Sequence, residues 1–165
     1  YETMFDDGRR VPYLASLERT SAPKPVALGG AKNEADAVEA YKIGEVLFRK
    51  RDYTGADAQF TRAHALDPKA TYLAARAWSI YMDPARKAQS AAAKQMMNDA
   101  VRTDPECDRA HYQLGVIARV EGDMDRAERH FREAIRANPR HLEANQELRL
   151  IDMRKKNAGK KGLFG

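Results

Sequence analysis

The sequence predicts an all-α fold: a solenoid of three helix-turn-helix repeats closed by a C-terminal capping helix. Two spacings and one pattern carry this reading. Gly44, Ala56, Phe60, Ala63 and Pro68 recur as Gly115, Ala127, Phe131, Ala134 and Pro139, each 71 positions later. Pro105 divides the Pro68–Pro139 interval into 37 and 34 residues, so a third copy lies between the other two. Within each copy the apolar and small residues recur at helical spacing, and strand-like alternation is scarce. Several residue types held at fixed offsets mark an internal repeat, and such units bury their apolar faces by stacking on one another.

The six repeat helices are expected at about 33–50, 53–66, 69–81, 84–103, 106–120 and 124–137. In the first, Asn33 with Asp36 three residues on reads as a cap. Ala40, Ile43, Gly44 and Leu47 form its core stripe, with Gly44 open to a neighbouring helix. In the second, Ala56, Phe60 and Ala63 share one face. Pro68, Pro105 and Pro139 follow Asp67, Asp104 and Asn138, which reads as a cap plus first-turn proline for each next helix. In the middle copy, Trp78 takes the place of Gly44, and Ala93, Met97 and Ala100 match Ala127, Phe131 and Ala134. Its three extra residues then fall in Met82–Lys87, where a turn absorbs them at small closure cost. Asp83-Pro84 marks the start of the fourth helix.

A 34-residue unit with these small, aromatic and proline positions resembles the tetratricopeptide repeat family. The resemblance covers residues 33–140, with repeats at about 37–70, 71–107 and 108–141. It implies a non-catalytic scaffold that binds a protein or peptide partner in a concave groove. First helices of the repeats line that groove. By helical phase, Val38, Tyr41, Glu45 and Phe48 turn toward it from copy one. Tyr72, Ala75, Ser79 and Met82 follow from copy two, and Arg109, Tyr112, Val116 and Arg119 from copy three. Aromatics beside arginines have the composition of binding hot spots. The candidate partner-binding residues are therefore Tyr41, Glu45, Phe48, Tyr72, Arg76, Arg109, Tyr112, Val116 and Arg119. The alternative use of the tyrosines is packing between repeats with only their hydroxyls wet. One branch of the family clamps chaperone C-terminal carboxylates with a Lys and an Asn in the first helix. Tyr41 and Glu45 stand at those positions here. Arg76 and Arg109 are basic, but Glu45 repels a carboxylate, which argues against that specificity.

After Pro139, Leu142, Ala144, Leu148 and Ile151 continue at near-helical spacing, so 141–156 reads as the capping helix. Its outer face carries Glu143, Glu147, Arg149 and Arg154. Residues 157–165 read as a flexible basic tail. From Ile151 to the end, Arg154, Lys155, Lys156, Lys160 and Lys161 stand against Asp152, a net +4 of the chain's +5. The tail reads either as a solvated end or as a tether to an acidic partner or anionic lipid, with Leu163 and Phe164 as a small apolar anchor. At the other end, Tyr1-Glu2-Thr3-Met4 and Arg9-Arg10-Val11-Pro12-Tyr13 resemble the C-terminal end of a J domain, the DnaJ-like co-chaperone module. This implies that residues 1–20 are a remnant of that module and that the chain starts inside it. It also implies a bacterial-type parent working with a DnaK-type chaperone. The family's His-Pro-Asp tripeptide occurs nowhere in the sequence, so the chain alone is not expected to stimulate such an ATPase. Residues 21–32, with prolines first and glycines last, read as a linker.

No chemistry-bearing constellation stands out. His64, His111, His130 and His141 make no i, i+4 pair, and Cys107 is the one cysteine, so neither a metal nor a disulfide is expected. Cys107 opens a helix, where the dipole favours a thiolate, yet capping is the simpler role. Ser79 and Ser90 lack a nucleophile elbow. Gly29-Gly30 is no phosphate loop, because Asn33 follows Lys32. No apolar run reaches the ~20 residues of a membrane span. Outside the tail the charges nearly balance, which argues against a nucleic-acid stripe. The sequence thus predicts no cofactor, no enzyme activity, no transmembrane segment and a cytoplasmic module. A monomer or weak dimer is expected, with a structural or oligomerisation role as the rival reading.

Overall fold

The computed structural model describes residues 28–162. Among them are seven α-helices and no strand: α1 Leu28–Arg49, α2 Tyr53–Leu66, α3 Ala70–Met82, α4 Ser90–Thr103, α5 Asp108–Val120, α6 Met124–Ala137 and α7 Leu142–Gly162. Among the described residues, those from Asn33 onward form one compact unit. The J-domain resemblance of residues 1–20 and the end of the basic tail lie outside the described residues.

The pairs α1/α2, α3/α4 and α5/α6 are the three repeats. Both outer repeats turn between their helices in the same way. Asp52 and Asp123 cap α2 and α6 by accepting from the backbone N–H of Gly55 and Arg126. Each cap follows a residue of positive φ, Arg51 at 63° and Gly122 at 86°. Glycine adopts that conformation freely, whereas arginine holds it at a cost.

The second helices also end alike. Asp67, Asp104 and Asn138 donate their N–H groups to the carbonyls of Ala63, Ala100 and Ala134. All three have extended backbones, because the proline that follows excludes the helical region. They therefore do not cap the next helix as expected. Asp104 and Asn138 instead accept from the backbone N–H groups of Glu106 and Arg140, making local turns. The following helices start two or three residues beyond the proline.

Three boundaries differ from the sequence reading. First, α1 begins at Leu28, so part of the expected linker is helical and Asn33 is no cap. Second, α7 runs to Gly162, six residues past the expected end of the capping helix and into the expected flexible tail. In both, a packed helix extends cheaply, since propagation adds one bond per residue fixed. Third, the expected fourth helix splits. Asp83 caps Pro84–Gln89, a 3-10 segment in which Arg86 leaves helical geometry, and α4 starts only at Ser90. The three extra residues of the middle copy are absorbed here.

Phe60 and Phe131 are fully buried. A Cβ on Gly44 or Gly115 would lie 2.6 Å from the facing ring, so the glycines are required by close approach. In the middle repeat the volumes are exchanged: Met97 replaces the phenylalanine, and Trp78 stands in the glycine position and packs on Met97's cluster. Ile43, expected in the core, is 41% exposed, whereas its equivalent Leu114 is 3% exposed. Leu114 packs with Ala77 and Met97 of the preceding repeat; among the described residues no repeat precedes α1 to cover Ile43 in this way.

Candidate partner-binding groove

The first helices α1, α3 and α5 and the start of α7 line one groove of about 610 Å³. Tyr41, Glu45, Phe48, Arg109 and Tyr112 all face it. The other four of the nine candidate partner-binding residues lie elsewhere. Tyr72 is 5% exposed and packs in the core with Ala37, Ala40 and Ala63, its ring centroid 5.0 Å from that of Tyr41. Ala75 and Ser79 are buried with it. Helix α3 has repeats on both sides, so less of its surface is left for the groove. Arg76 turns to α2, where its Nε donates to Asp57 Oδ1 at 3.1 Å. Arg86 of the 3-10 segment holds the other Asp57 oxygen at 2.8 Å, so the pair clips the insertion to the array. Val116 packs against the cluster that joins α5, α6 and α7. Arg119 pairs with Glu147 of α7 at 3.4 Å. The capping helix thus covers the far end of α5.

Sequence reasoning missed Trp78, Gln113, Asn138 and His141, which also face the groove. Trp78 was legible as a mismatch: a side chain too large for a glycine site must leave the helix contact toward open space. Its ring stacks on Tyr81 at 5.4 Å and 10°. Gln113 and His141 are set by tertiary contacts and had no such signal.

Arg109 braces the floor. Its Nη1 donates to the Tyr41 hydroxyl at 2.5 Å and its Nη2 to Glu45 Oε1 at 2.8 Å, across 64 and more residues of sequence. With the Gln113 amide oriented to satisfy both its ends, the oxygen accepts from Arg109 Nε at 3.2 Å and the nitrogen donates to the Ala74 carbonyl at 3.0 Å. One guanidinium therefore ties α1, α3 and α5 together. Beside it, Asp108 accepts from Asn138 Nδ2 at 2.7 Å and from its neighbour's N–H. Burial pushes the Tyr41 hydroxyl pKa up, Arg109 opposes this, and Glu45 adds to it. Burial likewise raises Tyr112, reinforced by Glu147 and Glu143. Both hydroxyls stay protonated at neutral pH.

With these charges paired, the groove offers Phe48, Trp78, Tyr112 and Leu142, together with Arg49 and Arg140, which make no ion pair among the described residues. Tyr112 leans on His141, ring centroids 4.9 Å apart. Cys107 stands at the N-cap of α5 but its side chain makes no capping bond; it is buried, and burial raises its thiol pKa. No group of three or more His, Cys, Asp or Glu able to hold a metal occurs among the described residues.

A family model for the tetratricopeptide repeat matches residues 85–141. The TPR repeat-containing thioredoxin TTL4 of Arabidopsis thaliana is 33% identical over 117 residues, covering 70% of this chain and 17% of that protein. The chain therefore spans a small part of that relative's length. Among solved structures, the Sgt2 TPR domain from Aspergillus fumigatus is similar with a TM-score of 0.59 at 20% identity, over 84% of this chain and 85% of that one. The first TPR of Spaghetti (RPAP3), bound to the HSP90 peptide SRMEEVD, is similar with a TM-score of 0.56 at 21% identity, over 74% and 95%. The described helices have the tetratricopeptide repeat fold, three helix-turn-helix repeats followed by a capping helix.

Proposed function

We propose that this chain is a non-catalytic interaction module that binds a polypeptide segment in its groove by apolar anchoring. The observation that carries this reading is the engagement of Arg109. Its cation is held by Glu45 and Tyr41, while the aromatic faces of Phe48, Trp78 and Tyr112 line the open groove. A terminal carboxylate arriving there meets Glu45 and an arginine already paired, and displacing that pair leaves a charge unmatched. An internal segment, extended or as a short helix, with an aromatic or aliphatic anchor meets no such barrier. The similar Spaghetti (RPAP3) domain holds an acidic peptide; on the floor of this groove Glu45 opposes a carboxylate.

The test is selection from a displayed random-peptide library against the chain, with the SRMEEVD peptide titrated in parallel. Enriched peptides carry an apolar anchor, and Trp78→Ala or Tyr112→Ala weakens them by about 30-fold, the scale of losing one hot spot. SRMEEVD shows no saturable binding. Enrichment of acidic C-terminal peptides, or binding indifferent to both substitutions in a helical protein, overturns the reading.

The further proposal that this module serves a J-domain co-chaperone, with a DnaK-type chaperone as partner, rests on the resemblance of Tyr1–Tyr13. Sequencing the coding frame upstream of Tyr1 tests it. A frame without a His-Pro-Asp tripeptide overturns it.

A further inference from the structure

The outer face of α7 takes no part in the core or in the groove's aromatic wall. On the inner face, Ala144 and Ile151 are buried and Leu148 packs beside them. On the opposite face, Arg149, Met153, Lys156 and Lys160 follow one another at spacings of four, three and four, which places them in one line along the helix. Leu150 and Arg154 form the adjoining row. All six are exposed, with Leu150 at 47% and Met153 at 59%. The four cations make no ion pair among the described residues. Lys155, by contrast, is held by Glu128 on the inner side. One acid, Asp152, stands three residues after Arg149 and four before Lys156, so it borders this row and leaves four cations against one carboxylate. The helix is 21 residues long, about 31 Å.

We infer that this face docks on an anionic membrane surface, with α7 lying in the plane of the headgroups. Its charge complements anionic lipid, and two exposed apolar side chains sit among the cations. A bilayer surface accepts both features at once: the basic heads meet phosphates while Leu150 and Met153 enter the headgroup boundary. Nucleic acid would use the cations but leave Leu150 and Met153 unsatisfied. The lysine stems add apolar contact beneath their charged ends. No helix among the described residues is long and apolar enough to cross a membrane, so the contact is peripheral and salt-sensitive.

The experiment is co-sedimentation of the full chain with vesicles of phosphatidylcholine alone or with about 30 mol% phosphatidylserine, at about 0.1 M and about 1 M salt. The chain sediments with the anionic vesicles at low salt and stays in solution with the neutral ones. Lys156→Gln with Lys160→Gln weakens binding by about 30-fold, the loss of two surface cations. Leu150→Ser with Met153→Ser weakens it as well. All four positions are exposed, and circular dichroism confirms that the variants keep their helices. Absence of vesicle binding, equal binding to neutral vesicles, or binding unchanged by the lysine pair overturns the inference. So does binding to polyglutamate by a chain that ignores anionic vesicles, which would assign the face to an acidic protein.

Discussion

At the scale of single residues, small changes of volume and protonation have large consequences. A methyl at Gly115 would stand 2.6 Å from ring carbons of Phe131, which is itself fully buried and has nowhere to retreat. Gly115→Ala is expected to destabilise the protein by about 1–3 kcal/mol in urea unfolding, the usual cost of overpacking. The same methyl at Gly30, which has open space around it, should change little. His130 gives the pH dependence. Burial and the neighbouring His111, with Arg126 and Arg129, push it down to about 4 against the favourable Glu133. The unfolded chain takes up this proton near pH 6.5 and the folded chain only near 4, so the unfolded state binds more protons in between. Stability is therefore full above pH 6.5 and falls as the pH drops toward 4. Allowing for solvent screening at this partly exposed ring, the loss is about 1–2 kcal/mol. Urea midpoints across that range should decline in the native chain and decline less in His130→Gln.

At the scale of elements, the capping helix decides the fate of the third repeat. Leu148 and Ile151 cover the cluster containing Phe131 and Ala134. Leu148→Asp places a carboxylate against that cluster and is expected to cost about 2–4 kcal/mol, with amide protection lost first in α6 and α7. An unchanged melting profile would refute the capping role. How legible these elements were depended on local chemistry. Helices α2 and α6 begin and end within a residue or two of the expected positions, because an aspartate cap opens each one and a proline follows its end. The ends of α1 and α7 carry no such stop, so their lengths were decided by propagation from packed turns. The split before α4 was also hidden, since Asp83-Pro84 marks a helical start without specifying which kind of helix follows.

At the scale of the whole molecule, stacking makes the repeats unequal. Helices α3, α4 and α5 have neighbours on two sides, while α1 leaves Ile43 and Val46 more than two-fifths exposed. Hydrogen exchange is expected to be slowest in α3–α5 and faster in α1. Uniform protection along the array would contradict nearest-neighbour stacking as the source of stability. The Arg109 brace crosses the array at the same scale, joining α1 to α5 through Tyr41 and Glu45. It fixes the groove floor and engages the cation at its centre.

The sequence alone determined the repeat number, the helix pairs and the presence of a groove, because these follow from periodic side chains and prolines that act within one 34-residue unit. It also located Tyr41, Glu45, Phe48, Arg109 and Tyr112 on the groove side. Only the tertiary structure decided which of the remaining candidates stayed there. Tyr72 went to the core, Arg76 to Asp57, and Val116 and Arg119 to the capping helix. The reason is that helical phase gives a residue's direction, whereas burial depends on what stands in that direction. The partner of Arg109 is likewise 64 or more residues away in sequence, a pairing that exists only once three repeats have stacked.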